Sequence, residues 1–255
     1  MPATNAAWTL LERIVEIIVC GILLQLERTS GPRIGNWVSS IAMEMQKYIE
    51  DIKNIRNRTL WGYDLSFIAV VTISTLVLVL DRYHPIDVVF PLSNMIYYLF
   101  IPLAAGFILF RDKPWDYGIR IGRWKLAIIL TSVTVAVFFL IVYGASKIPE
   151  VYAYYHKHSI NWPPYILGRT LYMFAWEFMF RGYMLFGLEK SIGKGAIFVQ
   201  AIPFVLLHLG ATDLETLVCI PEGFLLGYIA YKTRSFLPCF VIHIGIDVLM
   251  DVLTY

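Results

Sequence analysis

Charge is what this chain has least of. Lys, Arg, Asp and Glu together supply 16% of its 255 residues, against about 25% in an ordinary soluble domain. Hydrophobic residues supply 58%, and the mean hydropathy is +0.64. A disordered chain, which is poor in apolar residues and rich in charge, is excluded. Net charge is equally small, at +2. The basic residues sit between apolar blocks rather than along one face, so no nucleic-acid partner is expected. Cysteine is scarce too. Cys20, Cys219 and Cys239 all lie in apolar stretches without CxxC spacing, which excludes a disulfide framework and a zinc knuckle and suits small buried thiols. There is no internal repeat and no low-complexity segment. The N-terminal apolar stretch is interrupted by Glu12, Arg13 and Glu16 and does not read as a cleavable signal peptide.

What remains is long apolar runs, and a membrane span needs about 20 such residues. Seven are clear, at 64–80, 88–110, 126–145, 165–188, 196–209, 214–231 and 236–253. An eighth at 8–26 carries charge in its first half, and either spans the bilayer or lies in its interface. The expectation is an all-α, polytopic membrane protein with seven or eight transmembrane helices. Residues 1–62 form an N-terminal helix and a basic cytoplasmic segment, and 63–255 form the transmembrane domain. Lys and Arg support this division. Loops assigned to one side of the bilayer carry sixteen of them and loops on the other side three, with Arg169 and Arg181 inside a span. The positive-inside rule then puts the N-terminal segment and the loop 111–125 in the cytoplasm and the C-terminus on the opposite side.

Ionisable residues inside spans are expensive and tend to be functional. Here they concentrate in the last 90 residues or so: Arg169, Glu177, Arg181, His208, Glu222, His243, Asp247 and Asp251. Glu177 and Arg181 are four apart, on one helix face, with the acid toward the N-terminus, the better order for a pair. His243 and Asp247 are also four apart. Arg169, near a span end, reads as a snorkelling side chain. Glu222 follows Pro221, which frees a backbone carbonyl and suits a span lining a cavity. Gly223 and Gly227 form a small-xxx-small pair for close helix contact. Carboxylates, a guanidinium and two imidazoles directed into one cavity can hold and deprotonate water and stabilise an oxyanion. The same set can relay protons or line a transport path.

Three motifs in this region resemble the CAAX-protease and bacteriocin-processing family of intramembrane endopeptidases. The family's Glu-Glu-x-x-x-Arg, usually followed by Gly, is similar to "WEFMFRG" from Trp176 to Gly182. Its Phe-x-x-x-His is similar to "FVLLH", Phe204 to His208. Its His-x-x-x-Asn or Asp is similar to "HIGID", His243 to Asp247. The resemblance covers about residues 165–250. It implies an intramembrane endopeptidase acting on a membrane-associated peptide or protein substrate, without a metal or other cofactor. In that assignment His208 and Glu177 position or activate water, Arg181 pairs with Glu177, and His243 and Asp247 hold the oxyanion or the second water contact. The sequence departs from the family at the first glutamate, taken there to activate the water, because Trp176 occupies the position. Adjacent helical residues point about 100° apart, so Glu177 does not simply replace it. Glu177 after a helix rotation, Glu222 on the neighbouring span, or His208 alone are the remaining bases. Trp176 and Glu222 are also candidate substrate contacts. His208, His243, Glu177 and Asp247 as zinc ligands stay open, although no HExxH is present. The alternatives in function are an inactive relative that binds a membrane partner, as an immunity-type protein would, and a small transporter. The absence of a repeat argues against the transporter.

Overall fold

The computed structural model describes residues 43, 44, 47, 59, 60, 63–86 and 91–255. The N-terminal stretch 8–26 and most of the basic segment lie outside the described residues. The chain divides into two compact units, Met1–Leu65 and Ser66–Tyr255. In the first unit, residues 43, 44 and 47 are helical. Strands β1 (Thr59–Leu60) and β2 (Tyr63–Asp64) pair antiparallel, with Thr59 opposite Asp64.

The second unit consists of helices and their connections, with no strand among its described residues. Its elements are α1 (Leu65–Tyr83), α2 (Leu92–Phe110), α3 (Trp124–Ala145), the short α4 (Pro149–Tyr155), α5 (Trp162–Glu177), α6 (Leu185–Ile192), α7 (Ala196–Leu206), α8 (Asp213–Thr233) and α9 (Leu237–Thr254). A π-helical stretch, Phe178–Met184, joins α5 to α6.

Five of these helices, α1, α2, α3, α8 and α9, are long and apolar enough to cross a membrane. Among the described residues the seven or eight spans expected from hydropathy are thus matched by five helices of that length and composition, and the full count is not confirmed. The run expected at 165–188 lies within one unbroken helical stretch, 162–192, that passes through the π-helical segment; it is set apart from the five by the charged residues Arg169, Glu177 and Arg181. The run at 196–209 yields a helix of 11 residues, about 17 Å long at 1.5 Å per residue, roughly half the hydrocarbon thickness.

A helix that is apolar all round is buried, and the centre of the unit follows that rule. Every residue of Phe178–Met184 is buried, packed against Leu185, Leu188, Phe204, Leu226 and Phe236. The outer helices instead leave large apolar side chains uncovered, such as Ile108 on α2 at 73% exposure and Leu140 on α3 at 70%. Hydrocarbon, unlike water, does not penalise such a surface. Gly223 and Gly227 do seat α8 against α7. A Cβ on Gly223 would sit 3.1 Å from the Cβ of Ala201, and one on Gly227 would collide with Gln200. The Gln200 side chain also donates to the Gly223 carbonyl at 2.9 Å.

Side-chain and backbone contacts group the loops by end. At one end the basic loop 111–123 meets the turn after α8. Arg120 donates to the Arg234 carbonyl at 2.7 Å, and the Arg123 amide donates to the Thr233 carbonyl at 2.8 Å. Gly122 has a φ of 64°, which lets the backbone come this close. Arg234 pairs with Glu189 at 2.6 Å and Lys190 with Asp112 at 2.5 Å, which brings the end of α6 to the same place. At the other end, His156 contacts the Thr254 carbonyl at 2.6 Å, and Lys157 pairs with Asp251.

Candidate active site

Glu177 ends α5 and Arg181 lies within the π-helical stretch, and both side chains are 0% exposed. Arg181 Nη1 donates to Glu177 Oε1 at 3.0 Å. The guanidinium also stacks over Phe204, 3.9 Å from the ring centroid, a cation–π contact favoured away from water. Gly182, the glycine of the first motif, is required by packing. A Cβ there would lie 2.8 Å from the Phe178 ring and 2.9 Å from the Tyr117 carbonyl.

His243, on α9, approaches the same carboxylate oxygen, with Nδ1 2.6 Å from Glu177 Oε1. An ionised carboxylate only accepts, so Nδ1 carries a proton and Nε2 remains for a second contact. His208 lies in the turn after α7. Its Nδ1–H donates to the Phe204 carbonyl at 2.7 Å, which again leaves Nε2 unused. The His208 backbone is held from the next helix, where Thr216 donates to its carbonyl at 2.9 Å. Phe204 is the shared wall of this cluster. Its ring centroid is 4.7 Å from that of His208 and 6.0 Å from that of His243. Trp176 stands edge-on to His208 at 6.0 Å and touches Phe180 and Phe204. It is a wall of the site.

These groups border a cavity of about 1140 Å³ whose lining includes Trp176, His208, Glu222 and His243. It is built from the second half of α3, α4, α5 from Tyr165 to Trp176, the first half of α8, α9 from His243 to Asp251, and the connecting segments around Lys157 and Gly210. These parts belong to the end away from the basic loop 111–123.

Asp247 also lines the cavity, but its carboxylate is taken by Arg169. Nε donates at 2.6 Å, and Nη2 contacts the second oxygen. Arg169 therefore does not snorkel. Its guanidinium forks onto a carboxylate one helix away, the geometry for which arginine is suited. One turn further along α9, Asp251 receives both Lys157 and Tyr165. Burial alone would lower the Lys157 pKa, yet hydrogen bonds to Asp251 and Tyr165 leave it raised above the ordinary lysine value. The Tyr155 phenol is raised as well, by burial first and then by its hydrogen bond to Glu215. Arg169, Lys157 and Tyr165 were not expected at the site. The signal for Arg169 was available, since a carboxylate and a guanidinium on two spans each need a partner.

Glu222 is 7% exposed, and its Oε1 is buried without a hydrogen-bond partner. Glu177 Oε2 and Arg181 Nε and Nη2 are buried in the same condition. Among the described residues no three His, Cys, Asp or Glu side chains converge as a metal-binding group.

Residues 159–249 match the family model described as type II CAAX prenyl endopeptidase Rce1-like. The matched stretch holds all three motifs and supports the CAAX-protease and bacteriocin-processing family. No curated protein and no solved structure matches the chain.

Proposed function

We propose that this chain is an intramembrane endopeptidase that hydrolyses a peptide bond of a membrane-associated substrate with a water held between its two cavity histidines. The observation that carries this reading is the 2.6 Å contact between His243 Nδ1 and a fully buried Glu177 beside a large, mostly apolar cavity. A carboxylate behind Nδ1 fixes the tautomer and stabilises positive charge that develops on the ring, the relationship of acid to histidine in a hydrolase triad. Arg181 holds Glu177 in that orientation. In this reading Glu177 and Arg181 are positioning residues rather than groups that touch water. His208 and His243 present Nε2 to the water and the scissile carbonyl, and no metal takes part. Asp247 is committed to Arg169, so the oxyanion role falls to His243, which as the imidazolium partner of Glu177 carries an Nε2–H to donate, not to Asp247. The apolar lining, with Trp176 and Tyr172 among it, suits a substrate that arrives with an apolar anchor. A prenylated C-terminal peptide of the kind in the matched family's description is the first class to try.

Two quenched-fluorescent peptides test the reading with the full-length protein in detergent. One carries a farnesylated CAAX end and the other an apolar helical tail. Wild type is expected to cleave at least one of them, and His208→Ala to lose cleavage by about 10²–10⁴-fold, the usual worth of a placed acid–base group. Chelators should leave the rate unchanged. Equal product from wild type and His208→Ala would overturn the hydrolase reading. Cleavage seen only after Trp176→Glu would identify an inactive relative that binds a membrane partner instead.

We also propose that the basic loop 111–125 and the N-terminal segment are cytoplasmic, from the sixteen-to-three asymmetry of Lys and Arg. The cavity, lying at the other end, then opens away from the cytoplasm. A membrane-impermeant thiol reagent added to intact cells should label Tyr154→Cys and leave Asp116→Cys unlabelled. The reverse pattern would invert the topology.

A further inference from the structure

Five carboxylates lie at the cavity or directly behind it, and three of them are held by hydrogen-bond donors. Glu177 receives His243 and Arg181. Asp247 receives Arg169 and Asp251 receives Lys157 and Tyr165, while Glu215 lies beside the Tyr155 phenol with its Oε2 buried and unpartnered among the described residues. Glu222 is the fifth. It lines the same cavity, is 7% exposed, and among the described residues its buried Oε1 meets no donor. Withdrawing a carboxylate from water without a hydrogen bond is unfavourable. A glutamine, or any apolar residue, would remove that cost.

The helix that carries Glu222 is fixed so that this side chain faces the cavity. Gly223, the next residue, is pressed against Ala201 and Phe204 of α7. One residue earlier is about 100° around the helix, which turns Glu222 away from α7 and toward the cavity. Glu215 and Cys219, seven and three residues earlier on the same face, line the cavity with it.

We propose that Glu222 is the proton-transferring carboxylate of this hydrolysis, acting on the water that His208 and His243 orient. This rests on the endopeptidase reading above. Glu222 takes a proton from the water as the water oxygen bonds to the scissile carbonyl carbon, and the π electrons of the C=O bond move onto its oxygen. On collapse the C=O bond re-forms, the C–N bond breaks, and the proton on Glu222 passes to the departing nitrogen. The products are a carboxyl terminus and an amine, and Glu222 is returned as a carboxylate.

The test compares wild type, His208→Ala, Glu222→Gln and Glu222→Asp on the two peptides used above, with thermal unfolding measured for each in the same detergent. Glutamine keeps the shape and removes the proton acceptor. The expected result is a fall in kcat of about 10²–10⁴-fold for Glu222→Gln, with KM little changed and an unfolding temperature equal to or above that of wild type. Glu222→Asp should keep measurable activity, and the acid limb of the pH–rate profile present in wild type should vanish in Glu222→Gln. If wild type cleaves and His208→Ala does not, while Glu222→Gln cleaves like wild type, the Glu222 proposal is overturned and the endopeptidase reading stands. Glu222→Gln that unfolds at a lower temperature and retains its kcat per folded molecule marks a structural residue and also overturns the proposal. If wild type cleaves neither peptide, both readings fall together.

Discussion

His243→Ala is expected to reduce peptide cleavage by about 10²–10⁴-fold, and the double change His208→Ala with His243→Ala should fall little further than either single change. Both rings touch one water in the proposed mechanism, and groups that act as a unit are strongly non-additive. His243 reaches the site with Nδ1 fixed by Glu177 at 2.6 Å, so the ring has a single orientation and its Nε2 a single direction. Removing it leaves Glu177 still paired with Arg181 at 3.0 Å, and the fold should survive with little loss. Rates per folded molecule on the farnesylated and helical-tail peptides check the expectation. Two single losses that multiply in the double variant would mean that the histidines serve separate steps, and would contradict a shared water.

The second large effect is on stability. Arg181→Ala removes the partner of a carboxylate that is 0% exposed, and breaking a buried pair in this way typically destabilises a protein by about 3–5 kcal/mol. His243 still donates to Glu177 Oε1, which places the expected loss toward the lower part of that range. The guanidinium also covers Phe204 at 3.9 Å, so alanine removes packing as well as charge. Thermal unfolding in detergent should show a fall of several degrees for Arg181→Ala. The double change Glu177→Gln with Arg181→Met removes both charges and refills the volume, and should recover most of the loss. An unfolding temperature for Arg181→Ala within a degree of wild type would show that the pair contributes nothing to the fold.

Much of this protein was legible before any coordinates, and the reason differs from part to part. The five long apolar helices could be read from hydropathy, because a span is a local property of about 20 residues. The Glu177–Arg181 pair could be read as well, since four residues along one helix bring two side chains together whatever surrounds them. The contact of Gly223 and Gly227 with α7 followed from their size and spacing. The motif order from Trp176 to Asp247 carried the resemblance that the family match over 159–249 supports.

The partners across helices were a different matter. Asp247 and His243 share a motif and a helix face, yet one is bound to Arg169 and the other to Glu177. Spacing along a helix says which residues share a face, not which neighbour that face meets. The approach of Glu177 to His243 on α9 depends on which face of α5 meets α9, which spacing along α5 does not state. Residues 165–188 and 196–209 were read as full spans because their composition is apolar. The first lies within an unbroken helical stretch, 162–192, set apart by its buried charges, and the second is cut short by the turn after Leu206. Glu222 shows the division most sharply. The sequence by itself determined that a carboxylate follows Pro221 inside a span. Only the tertiary structure decided that Glu177, Asp247 and Asp251 receive donors while, among the described residues, Glu222 Oε1 meets none, because hydrogen bonds between helices depend on how α5, α8 and α9 are brought side by side.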